Sequence, residues 1–128
     1  MIMTDSKPKI YFSHDVVTKS SFKQTIYEED SEYVLNGGPV EIIEYLKLNT
    51  KSLIWTRHGT YHCDFGPARI NYIGDTVDEV FFYMNGHLLK YDVWVELMKP
   101  SIEIQVELKL LGYDKLARDP IKYTYHDF

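Results

Sequence analysis

Apolar and polar residues alternate over much of the first ninety positions, and the period lengthens after them. Lys9 to Val17 predicts a first strand, with Ile10, Phe12 and Val16 on one side; the polar residues 1–9 are expected to fray. Residues 18–30 are mixed, with Phe22 to Tyr27 extended and Glu28-Glu29-Asp30-Ser31 a solvated turn. From Glu32 a repeat emerges. Tyr33-Val34-Leu35-Asn36-Gly37 is echoed by Tyr83-Met84-Asn85-Gly86, each an apolar run ending in Asn-Gly. Gly38-Pro39-Val40-Glu41-Ile42 is echoed by Gly66-Pro67-Ala68-Arg69-Ile70, and Trp55 with Gly59 by Phe82 with Gly86. Such self-similarity means one supersecondary unit set beside its neighbours. The full unit is legible once, from Leu53 to Ile70.

Asn-Gly supplies the positive φ angles of a type I′ turn, which joins two antiparallel strands. Gly-Pro bends the chain and withholds an amide, so the ladder pauses there. Beyond it, Ala68, Ile70 and Tyr72 share one face of a strand and Arg69 and Asn71 the other. Gly74-Asp75-Thr76 turns the chain, and Val80, Phe82 and Met84 return. The expected structural turns are therefore Asn36, Gly37, Gly38, Pro39, Gly59, His62, Asp64, Gly66, Pro67, Asn85 and Gly86.

After residue 90 the period changes. Val93, Trp94, Leu97 and Met98 recur at helical spacing, with Asp92 as the expected N-cap and Pro100 as the stop. Over 101–110 two readings compete. Ile102, Ile104, Val106, Leu108 and Leu110 alternate with polar residues as in a strand, yet Ser101 is a good cap, Glu103 suits a first turn and Gly112 falls where a helix ends. The flanking signals favour a helix. Residues 113–128 read as irregular, with an edge strand over Lys122–Tyr125. The fold class expected is α+β, an antiparallel β-meander of hairpin repeats over about 32–90 with two short C-terminal helices over about 91–112, in a single domain, 1–128. Trp55, Ile70, Val80, Phe82, Trp94, Leu97, Leu108 and Leu111 form the expected core.

Composition narrows the function classes. A chain of 128 residues has the length of one domain, and its 11 Tyr, 6 Phe and 2 Trp suit pleated surfaces rather than an all-helical bundle. A net charge of −5 leaves little basic surface for phosphates, which argues against nucleic acid. Cys63 is the only cysteine, so no intrachain disulfide can form and a reducing compartment is favoured. Neither a signal peptide nor a membrane span is legible, and the cytoplasm is the expected location.

With the unit laid out, Trp55-x3-Gly59-x2-His62-x-Asp64-x-Gly66-Pro67-Ala68 resembles the "aromatic–Asn-Gly-Lys-x-His-Arg-x-Asp-Gly-Pro-Ala" repeats, loosely MORN-like, of bacteriophage, giant-virus and bacterial proteins. The resemblance covers roughly residues 32–113. In the family a final Asn-Gly turn is followed by an aromatic-bearing helix and a second short helix, an order matched by Asn85-Gly86, Trp94 and Ser101 to Gly112. It implies a β-meander and a viral or bacterial source (for a virus, the host cytoplasm), and it implies no activity. The chain departs from the pattern at His58, which stands for Asn, at Tyr61 and Cys63, and after Gly86, where the second half-repeat is missing.

One cluster could carry chemistry. His58, His62 and Asp64 would share a strand face, and imidazole with carboxylate suits a first-row metal. The competing role is structural: His62 and Asp64 brace the turn before Gly66-Pro67 by hydrogen bonds to backbone amides, as the family pattern suggests. Cys63 beside His62 points to the opposite face, a poor geometry for a dyad, and reads as a small buried thiol. Asn36-Gly37-Gly38-Pro39 places a proline where a phosphate cradle needs an amide donor. His14, His87 and His126 stand alone, and Glu28-Glu29 and Asp78-Glu79 are turn carboxylates. No cofactor is expected. Arg57, Tyr61, Arg69 and Tyr72 form a candidate exposed binding face of interface-like composition. The leading expectation is a non-enzymatic protein-binding module, bacteriophage-encoded, acting in host takeover or defence inhibition, with a host or self protein as partner and homo-oligomers allowed. The alternatives are a small metal-dependent hydrolase or nuclease built on His58, His62 and Asp64, and a virion or assembly component.

Overall fold

The computed structural model describes residues 7–15 and 20–120. Within them, β1 (Lys9–Asp15), β2 (Ser20–Ile26), β3 (Glu41–Tyr45), β4 (Thr50–Ile54), β7 (Arg69–Ile73), β8 (Thr76–Met84) and β9 (His87–Leu89) form a seven-stranded sheet in that spatial order, every neighbour antiparallel. A small hairpin, β5 (Thr56–Arg57) with β6 (Thr60–Tyr61), is the only excursion from the meander among the described residues. The expected α+β meander is the observed architecture. Its sheet is wider than the repeat alone predicts, because β1 and β2 pair onto β3 through Phe22↔Tyr45 to Ile26↔Glu41. Expectations for residues 1–6, for Val16 and Val17 and for Lys122–Tyr125 and His126 lie outside the described residues.

Turn chemistry explains the tight connections. His58 (φ 53°) with Gly59 (φ 80°), and Asn85 (φ 48°) with Gly86 (φ 86°), both hold the left-handed pair that a two-residue hairpin requires. The first Asn-Gly does something else. Tyr33, Val34 and Leu35 were expected to extend, but Glu32–Leu35 is a single helical turn, α1. Ser31 caps its start by accepting the Val34 N–H through Oγ. At its end Gly38 N–H bonds the Tyr33 carbonyl and Gly37 N–H bonds the Val34 carbonyl, with Gly37 at φ 92°. That double closure is the Schellman motif, so Asn36-Gly37 stops a helix instead of turning a hairpin. A Cβ on Gly38 would run into the Tyr33 ring, which stacks on Tyr27 at 4.2 Å.

The helices α2 (Tyr91–Met98), α3 (Ile102–Leu110) and α4 (Tyr113–Leu116) cover one face of the sheet. Trp94, Phe82 and Val80 are fully buried there, with Ile70, Leu108, Tyr91 and Tyr113 around them. Each such side chain stabilises the fold by roughly 1.5–3 kcal/mol relative to exposure. Trp55 joins this cluster half-buried. Leu97 and Leu111, expected inside, are 51 % and 53 % exposed. Lys90, not Asp92, is the N-cap of α2, and Lys99 ends it at φ 50°. Ser101 caps α3 as expected, accepting the Ile104 N–H. Residues 113–128 were expected to be irregular, but Tyr113–Leu116 is a helical turn with Tyr113 buried, and Ala117 forms a parallel bridge to Val80. No helix among the described residues is long and apolar enough to cross a membrane.

Candidate functional site

The 58–66 loop holds the residues with the most chemical potential. After β6, His62 turns inward (4 % exposed), and its Nδ1 accepts the backbone N–H of Asn85 at 2.9 Å. Nε2 therefore carries the proton and donates to Asp64 Oδ1 at 2.6 Å. Asp64 Oδ2 lies 3.6 Å from Arg57 Nη1, and Arg57 Nη2 donates to Asn85 Oδ1 at 3.4 Å. Gly86 N–H bonds the Tyr61 carbonyl, and His62 N–H bonds the Trp55 carbonyl. Together these contacts lock one hairpin's loop to the next hairpin's turn. The amide that His62 satisfies thus belongs to the Asn85-Gly86 turn, not to the bend before Gly66-Pro67. Both imidazole nitrogens are spent, which leaves no lone pair for a metal. His58 instead offers its backbone N–H to Glu29 Oε1, and no group of three His, Cys, Asp or Glu side chains with metal-binding spacing occurs among the described residues.

Cys63 is buried, and that burial pushes its thiol up to about 12, only partly opposed by the amides of Phe65 and Gly66. A thiol so protonated is a poor nucleophile near neutrality.

The proposed binding face of Arg57, Tyr61, Arg69 and Tyr72 does not assemble. Tyr72 points to the helix-covered side, where it packs against the core under Lys51 Nζ, 4.9 Å from its ring centroid. Arg69 lies on the opposite side and is fully engaged: Nε donates to Asn71 Oδ1, Nη1 to Tyr61 Oη and Nη2 to Ser52 Oγ. Asn71 continues the chain of contacts to Glu79 Oε1, and Glu79 Oε2 meets Arg118 Nη1 at 2.8 Å. Tyr61 stacks on Tyr83 at 4.7 Å. This polar seam runs across β4, β7 and β8 and fixes their register. Beside it, Glu41, Ile54, Gly59, Thr60, Tyr61 and Gly86 line an open cleft of 440 Å³. Its one carboxylate, on Glu41, already accepts from Gln24 at 2.6 Å.

The surface that sequence reasoning missed is on α3. At about 100° per residue, an apolar residue at every second position splits into two opposed stripes on a helix. Ile104 and Leu108 face the core, and Ile102, Val106 and Leu110 stand in solvent at 72 %, 51 % and 83 % exposure. The alternation that competed for a strand was therefore the signal itself. Comparison with protein-family models, curated proteins and solved structures returns no match.

Proposed function

We propose that this protein is a non-enzymatic protein-binding module that engages its partner through the outer stripe of α3. The observation that carries this reading is the solvent-facing row Ile102, Val106 and Leu110, spaced like the anchors of a helix laid in a groove. An outer helix face normally carries polar residues, and exposed apolar rows mark interaction surfaces. Glu103 and Glu107 border the row on one side and Lys109 on the other, so the partner fits best as an apolar groove with a basic rim beside the glutamates. Support also comes from the 58–64 loop, whose histidine and aspartate are committed to hydrogen bonds within the fold. In keeping with the motif likeness, the partner is a host-cell protein and the source a bacteriophage.

A photoreactive residue in place of Val106, in the full chain, tests the reading. Cross-linking to a discrete protein in a host lysate, abolished by Leu110→Glu, is the expected result. No adduct, or an adduct indifferent to Leu110→Glu, would overturn it.

A further inference from the structure

One of the sheet's two edge strands, β1, has a self-complementary edge, and it lies apart from α3. On β2, Tyr27 N–H bonds the Val40 carbonyl and the Ser21 carbonyl accepts from Leu46, so odd-numbered residues there turn their backbone groups toward β3. Even-numbered residues turn toward β1, where Ile26, Gln24 and Phe22 oppose Lys9, Tyr11 and Ser13. The backbone groups of Ile10, Phe12 and His14 consequently point out of the sheet, with no described strand beyond them. Around them Ile10, Tyr11 and Phe12 are 49 %, 48 % and 70 % exposed. Edge strands are ordinarily guarded by inward charges, prolines or bulges, and the centre of β1 carries none.

The geometry points to a second copy of this chain as the occupant: two β1 strands pair antiparallel about a two-fold axis through Phe12, and the sheet continues from one molecule into the other. This register alone uses every outward group, because Phe12 meets Phe12 of the second copy and Ile10 meets its His14. A shift of two residues in either direction strands one outward residue on each copy. The same register joins the exposed Ile10 and Phe12 side chains of both copies into one apolar cluster on the helix-bearing side. An edge pairing covers less area than a permanent interface, so association follows concentration.

Sedimentation equilibrium of the full chain, with residue-resolved amide exchange at low and high concentration, tests the proposal. The expected result is a monomer–dimer equilibrium in which the amides of Ile10, Phe12 and His14 gain protection with concentration while Tyr11 and Ser13 stay protected throughout. Ile10→Pro removes an outward donor without touching the bonds to β2, and should weaken association by roughly tenfold or more. A monomer at every concentration, or a dimer whose protection falls elsewhere, would overturn the proposal. So would outward amides already protected in the monomer, which would mean that the chain covers its own edge.

Discussion

His62 Nδ1 accepts the Asn85 backbone N–H at 2.9 Å, so one buried imidazole ties together two turns that lie 23 residues apart. Removing it orphans that amide and opens a void in the loop. His62→Ala should therefore cost about 1–3 kcal/mol in urea unfolding, the penalty of a buried donor left unpaired. Asp64→Ala should cost less, because the carboxylate is 62 % exposed, so water can take its place beside His62 Nε2 and its contact with Arg57 is already screened. Equal losses would contradict the assignment of the bracing role to the imidazole.

Cys63 makes a pH-dependent contribution of known sign. Burial raises the thiol from its usual 9.0 to about 12, so the folded state holds the proton more tightly than the unfolded chain does. The stabilisation is complete below pH 9 and fades as pH climbs toward 12. Tyr33, Tyr91 and Tyr113 are raised by burial too and act in the same direction, so the difference between wild type and Cys63→Ala isolates the thiol. That difference should shrink across this alkaline window and stay flat from pH 6 to about 8. In native protein the thiol should react with a disulfide reagent only slowly, and promptly in urea.

Trp94 is fully buried, yet its indole N–H has no hydrogen-bond partner. Trp94→Phe keeps most of the ring and deletes the stranded donor, so the two changes oppose each other and stability should move by less than about 1.5 kcal/mol. Trp94→Ala should cost about 3–5 kcal/mol. Thermal unfolding of the pair separates shape from polarity.

The left-handed Gly37 that closes α1 gives a fourth stability test. Gly37→Ala should cost about 1 kcal/mol through its φ of 92°. Gly38→Ala should cost more and weaken the near-ultraviolet dichroism, since the added methyl displaces Tyr33 from Tyr27.

The second half of the meander was legible because its turns are written locally. His58-Gly59, Asn85-Gly86 and Gly66-Pro67 each dictate their bend without help from distant residues. The same logic misled at Asn36-Gly37, where Ser31 and Gly38 decide for a helix over an apolar run that also suits a strand. Alternation over Ile102–Leu110 states which residues are apolar, and the flanking signals, Ser101 at the cap, Glu103 in the first turn and Gly112 past the end, decide that they form two stripes of a helix. The bond from His62 to Asn85 joins distant turns, and no local spacing announces it. Leu97 and Leu111 fell outside the core because α2 and α3 turn Trp94 and Leu108 inward. The dispersal of Arg69 and Tyr72 to opposite faces does follow from their places one and two residues from Ile70, so the candidate face that combined them was at odds with the strand's own period.

The thermal midpoint of Val106→Glu combined with Leu110→Glu bears most directly on the role of α3. If the outer stripe serves a partner and not the fold, these charges land in water and stability stays within about 0.5 kcal/mol, a shift of at most a few degrees. A midpoint lowered by ten degrees or more would show that the stripe is part of this chain's own packing, and the binding surface assigned to it would have to be abandoned.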